Sequence, residues 1–104
     1  MQLALSYSGD LQLPISNHCQ DHNLSRGGVM AEGRVATRLG LPGIPAAAEE
    51  AMVARDIALA SVTGGRLHIA HLSTAGSVAL VHAALEPVSY THLRAHETLR
   101  YLVC

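Results

Sequence analysis

The sequence predicts an α/β fold built on a parallel sheet, and three observations carry that prediction. Segments read in the order helix, strand, loop, helix, strand, helix. The strand candidates are short apolar runs closed by Gly, Pro or Ser, as in "RLHIAHL" at 66–72. The chain between them is longer than a hairpin needs, which calls for a crossover and hence for parallel strands. At 104 residues there is room for one small domain or a piece of a larger one.

Each element has its own local signature. Residues 1–9 read as the end of an amphipathic helix, with Leu3, Leu5 and Tyr7 among small polar residues. "LPIS" at 13–16 follows a Gly-Asp break and reads as a strand entered through proline. The polar run "NHCQDHNLSRGG" at 17–28, closed by two glycines, is a loop. Residues 30–45 combine a short helical turn with Gly-Leu-Pro-Gly punctuation. Residues 45–65 form the clearest helix. Pro45 suits a first helical position, Glu49 and Glu50 favour the positive end of the helix dipole, and Gly64-Gly65 stop it. Its expected inward stripe is Val53, Ile57 and Ala60. After the strand at 66–72, residues 73–86 start another helix capped by Ser73 or Thr74, with Val78, Val81 and Leu85 expected inward.

Composition narrows the possible functions. Apolar residues make up 49% of the chain, but there is no Phe and no Trp, so the core is expected to rest on Ala, Leu and Val. A net charge of −1 with no basic run gives a nucleic-acid partner no electrostatic support. No stretch approaches the roughly twenty apolar residues of a membrane helix. The first residues lack the charged and apolar regions of a signal peptide. Two cysteines, Cys19 and Cys104, make no disulfide framework, so a reducing cytoplasmic setting is expected.

The chemistry-bearing candidates are histidines. In "RLHIAHLST" His68 and His71 differ by an odd number, so on a strand they face opposite ways; on a helix they would face together. In parallel α/β folds reactive groups gather at the carboxyl ends of strands, which selects His71 over His68. His18 ends the earlier strand in the same way, and the two rings can meet at one mouth of the sheet as ligands of a divalent metal. Spacing alone leaves the choice open between such ligands and ordinary hydrogen-bonded histidines. "HCQDH" also admits a Cys-His nucleophile, which is disfavoured because neighbours on a strand point apart. Asp21, His22, Asn23, His68 and His82 are assigned loop or surface roles.

Read together, "LPISNHCQD" and "GGVMAEGRVATRLGLPGIPAAAEEAMVARDIALASVTGGRLHIAHLSTAGSV" resemble the dihydroorotases of the long bacterial class, within the cyclic amidohydrolases. The likeness runs from about Gln2 to Leu85. It takes in a His-Cys/Ala-Glu-Asp loop (with Gln20 where Glu is usual), Glu32-Gly33, a Gly-Leu-x-Gly-x-Pro turn, Arg55-Asp56 and a closing His-Ile-x-His-x-Ser-Thr.

The resemblance implies a partial (β/α)8 TIM barrel of about two βα units, whereas a whole barrel takes about 250 residues. It further implies zinc, one or two ions, at the carboxyl mouth, and reversible hydrolysis of the cyclic amide of dihydroorotate to carbamoyl aspartate in pyrimidine synthesis. His18 matches the metal histidine ending the fifth barrel strand and His71 the one ending the sixth. The family's His-x-His pair, bridging acidic residue and late proton-shuttling aspartate have no counterpart here, so the isolated chain is expected to be inactive. The parent is expected to act on a small molecule and to be a homo-oligomer or associated with aspartate transcarbamoylase.

After Pro87 the likeness stops. "VSYTHLRAHET" at 88–98 reads as an in-frame translation of a transposase sequencing adapter, so residues 88–104 are expected to be a non-native tail and 1–87 the enzyme-derived part. Tyr90, His92, His96, Tyr101 and Cys104 then carry no function. Rival readings are a hydantoinase, dihydropyrimidinase or allantoinase segment, or a non-catalytic dihydroorotase-like scaffold for aspartate transcarbamoylase. The Gly-Leu-Pro-Gly-Ile-Pro turn and the "HIAH" histidines favour dihydroorotase.

Overall fold

In the computed structural model, residues 1–85 and 102–103 are described. The expected foreign tail therefore lies outside the described residues, except for Leu102 and Val103. Elements follow as α1 (Gln2–Leu11), β1 (Ile15–Asn17), β2 (Met30–Ala31), α2 (Arg34–Leu39), β3 (Gly43–Ile44), α3 (Ala47–Thr63), β4 (Leu67–Ile69), α4 (Ala75–Leu85) and β5 (Leu102–Val103).

Among the described residues the arrangement is mixed α/β with short parallel strands that form no closed barrel. β4 lies between β1 and β5, parallel to both. Ile15 is in register with Leu67, and Asn17 with Ile69. Each strand is too short to hold this register by backbone bonds alone, so side-chain bonds at the amino ends reinforce it. The Ser8 hydroxyl accepts from the Arg66 amide at 2.9 Å, while the Arg66 guanidinium donates to the Gln12 carbonyl at 2.8 Å.

The two glycines after α3 divide the work. Gly64 adopts the left-handed conformation that ends the helix (φ 67°), which a glycine does without steric cost. Gly65 serves a close approach instead: a Cβ there would lie 2.3 Å from the Leu5 carbonyl oxygen of α1.

A second, two-stranded sheet joins β2 to β3 in parallel, with α2 as the crossover. Sequence analysis expects only the helical turn here. Strands two residues long present no alternation to read.

The core is small: Leu5, Cys19, Val53, Ala60, Leu67, Ile69 and Val81 are buried together. Two expected stripes need correction. On α3 the buried row is Val53, Asp56 and Ala60, with Ile57 only half-buried. On α4 Ser77 and Val81 face inward, whereas Val78 and Leu85 are 55% and 51% exposed. The Thr74 hydroxyl caps the helix by accepting from the Ser77 amide at 3.1 Å on that inward side. Val78 lies about 100° further round the helix.

Candidate functional site

β1 and β4 are parallel neighbours, so their carboxyl ends open on the same edge of the sheet. His18 follows β1 directly, and His71 stands two residues beyond the end of β4. Their rings meet there, with His18 Nδ1 3.1 Å from His71 Nε2 and centroids 4.7 Å apart. Both rings are exposed.

The reason His71 reaches this position is not strand alternation. Leu67 and Ile69 point into the core, and an extended chain would send residue 71 the same way. The strand ends at Ile69 instead, and His71 takes φ 37°, a left-handed conformation uncommon outside glycine. That twist brings the imidazole out at the mouth. His68 stays in the strand opposite Ser16, half-buried, away from the pair.

Gln20 orients the first ring. Its amide oxygen lies 2.8 Å from His18 Nε2, an arrangement that suits the tautomer with the proton on Nε2 and the Nδ1 lone pair toward His71. The resemblance puts Gln20 where the family usually has Glu, so this position carries no charge. The structure shows that the amide still supplies an acceptor.

Beneath His18 lies a polar cluster. Asp56 is fully buried on α3 and accepts from the Asn17 amide and, at 3.4 Å, from the Cys19 thiol. Arg55 closes the cluster with two bonds to the other carboxylate oxygen, at 2.8 and 2.6 Å. Burial, followed by the charge of Asp56 and the hydrogen bond to it, pushes the Cys19 thiol up to about 12. Burial beside a carboxylate thus disfavours the thiolate, the form a nucleophile needs. Asp21 has a turn-forming role, accepting from the amides of Asn23 and Leu24.

Glu49, near the start of α3, holds the other loop. Its carboxylate accepts from the backbone amides of Ser73, at 3.0 Å, and Thr74, at 3.1 Å, and from both hydroxyls. Burial disfavours its charge, but the bonds from Ser73 and Ser77 and from the Ser73 and Thr74 amides outweigh that and hold the carboxyl down at about 2. In the sequence Glu49 shows only a helix-dipole role and Arg55-Asp56 only a place in a motif. A buried Asp inside an otherwise apolar helical row was the available signal.

A cleft of about 590 Å³ lies over the pair, lined among others by His18, His71, Glu32, Glu49, Glu50 and Ile44. The second sheet thus forms one wall of the cleft.

The donor set has the spacing of part of a divalent-metal site. Two imidazole nitrogens about 2.0–2.1 Å from one ion at the tetrahedral angle stand about 3.3–3.4 Å apart, and the observed 3.1 Å is close to that. A His18 ring held at Nε2 by Gln20 turns Nδ1 toward His71, as an orienting partner of a ligand does. Among the described residues no group of three or more His, Cys, Asp or Glu is placed to hold an ion. The pair is therefore two ligands' worth of a site.

These features define a class: a parallel α/β segment whose neighbouring strands deliver two imidazoles to one carboxyl edge. Sequence comparison defines it more narrowly. Residues 1–77 match the family described as dihydro-orotase-like, and the chain belongs to that family. It is similar to curated proteins named dihydroorotase. Identity is 63% with that of Pelotomaculum thermopropionicum, 57% with that of Syntrophobacter fumaroxidans and 54% with that of Syntrophus aciditrophicus, each over 84 residues or 81% of this chain. The chain spans about one fifth of the length of these relatives. The rival hydantoinase, allantoinase and scaffold readings gain no support from them. No helix among the described residues is long and apolar enough to cross a membrane.

Proposed function

We propose that this chain supplies two metal-ligating histidines, His18 and His71, to a zinc-dependent dihydroorotase that opens and closes the cyclic amide of dihydroorotate in cytoplasmic pyrimidine synthesis. The observation that carries the reading is the 3.1 Å approach of the two imidazoles from adjacent parallel strand ends, within a chain of this family. The chemistry an ion adds at such a site is polarisation of the amide carbonyl and activation of water near neutral pH. The chain's own residues prepare for it. Gln20 holds His18 in the tautomer with Nδ1 free, and the cleft walled by Ile44 and Glu32 shields the mouth from one side.

The two βα units are read as staves of a (β/α)8 barrel, the architecture in which strand carboxyl ends form the site. A catalytic zinc takes three protein ligands, so a third comes from outside the described residues and the 104-residue chain alone gives no turnover. Residues 1–87 are read as enzyme-derived and 88–104 as adapter-derived, which resequencing the source DNA beyond the Pro87 codon checks.

The test is a histidine series in full-length dihydroorotase carrying this segment. His18→Ala and His71→Ala each lower zinc affinity and turnover by about 100-fold or more, since even residues one shell further out cost 10–100-fold. His68→Ala retains most of both. Equal losses at all three positions overturn the assignment.

A further inference from the structure

We propose that helix α3 is the template for the histidine pair, with Glu49 and Asp56 as positioning residues that each fix one imidazole through the loop that bears it. The proposal rests on the ligand reading above, but it concerns residues that touch no substrate and no metal.

The geometry follows from helix periodicity. Residues 49 and 56 are seven apart, so they share one face of α3 about 10.5 Å apart along its axis. Each carboxylate reaches a different strand end. Asp56 bonds Asn17 and Cys19, the residues on either side of His18. Glu49 bonds Ser73 and Thr74 through amides and hydroxyls, starting two residues beyond His71. The first turn of α3 adds a third tie, because the Ala48 carbonyl accepts from the Asp21 amide at 2.8 Å in the loop after His18. One rigid helix therefore sets the separation of two loops that share no backbone hydrogen bond beyond Ala70 to Asn17.

Two further observations favour positioning over simple stability. Burying a carboxylate such as Asp56 often brings no more stability than an apolar residue of like volume, so its placement between the two residues that flank His18 points to a role in setting geometry. His71 also holds a left-handed backbone, which persists where surrounding bonds over-determine it. The Glu49 bonds lie immediately downstream of that residue.

The test uses full-length dihydroorotase carrying this segment and reads zinc affinity by chelator competition beside the Tm of the metal-free protein. Glu49→Ala and Asp56→Ala each weaken zinc binding by about 10–100-fold, the range for groups that orient ligands. Glu49→Gln and Asp56→Asn, which keep an accepting oxygen, recover part of the loss. Leu5→Val serves as a control, because it loosens the core at the opposite end of the strands and lowers Tm without moving zinc affinity. Where Asp56→Ala does not fold, Asp56→Asn and Glu49→Ala decide. Zinc affinity that simply follows Tm across all variants, Leu5→Val included, overturns the proposal. Unchanged affinity in Glu49→Ala and Asp56→Asn overturns it as well. Unchanged affinity in His18→Ala and His71→Ala would instead overturn the ligand reading, so the two failures are distinguishable.

Discussion

The two ends of the histidine pair are held by different physics. The His18 loop is tied from below, by a carboxylate shut away from water and shared among an amide, a thiol and a guanidinium. The His71 loop is tied from the side, by a carboxylate nearer solvent that gathers backbone amides and hydroxyls. A buried anion is costly to orphan and little screened by salt, whereas one nearer solvent contributes less. The same task is thus done once by a rigid anchor and once by a cap.

The largest expected break of that contrast is Asp56→Ala. It leaves Asn17 and Cys19 without their acceptor and Arg55 without its partner. The cost is about 3 kcal/mol of unfolding free energy by chemical denaturation, at the low end for a buried pair because the Arg55 side chain is 42% exposed. Next comes Gly65→Ala, on neither loop: its Cβ meets backbone rather than a flexible side chain, and the α1 approach must open at a cost of about 1–3 kcal/mol. Glu49→Ala costs about 1 kcal/mol, as loss of a cap does.

The Glu49 end also carries a pH signature. The folded carboxyl lies at about 2 against an ordinary 4.5. A depressed value means the contribution is complete above 4.5 and fades as pH falls toward 2. Wild type and Glu49→Gln therefore differ most in Tm above pH 5 and converge toward pH 2. A gap that widens on acidification would contradict the role. The smallest effect is chemical. Cys19, held at about 12, resists alkylation at pH 8 in the native protein, and Asp56→Asn speeds it by removing the adjacent charge.

Much of this was legible in the residues. α1, α3 and α4, and the strands at 15–17 and 67–69, follow from apolar spacing and Gly/Pro stops, which are local signals. So does the placement of His18 and His71 near strand ends. Strand parity selects His71 over His68, but alternation is not what brings the His71 ring to the mouth, because dihedral angles at a strand end answer to the bonds beyond it. β2 and β3 were missed because two residues show no period. The outward turn of Val78 and Leu85 was missed because helix rotation depends on the neighbour that the helix packs against.

The sequence by itself determined the helices α1, α3 and α4, the strands β1 and β4 and their parallel direction, and which family the motifs belong to. Each of these depends on residues close together in the chain or on their order. Only the tertiary structure decided that Asp56 lies buried between Asn17 and Cys19, that Glu49 closes on Ser73 and Thr74, and that the two imidazoles stand 3.1 Å apart. The physical reason is that each of these contacts joins residues twenty-four or more positions apart, whose meeting depends on how α3 packs across β1 and β4 and not on any local preference.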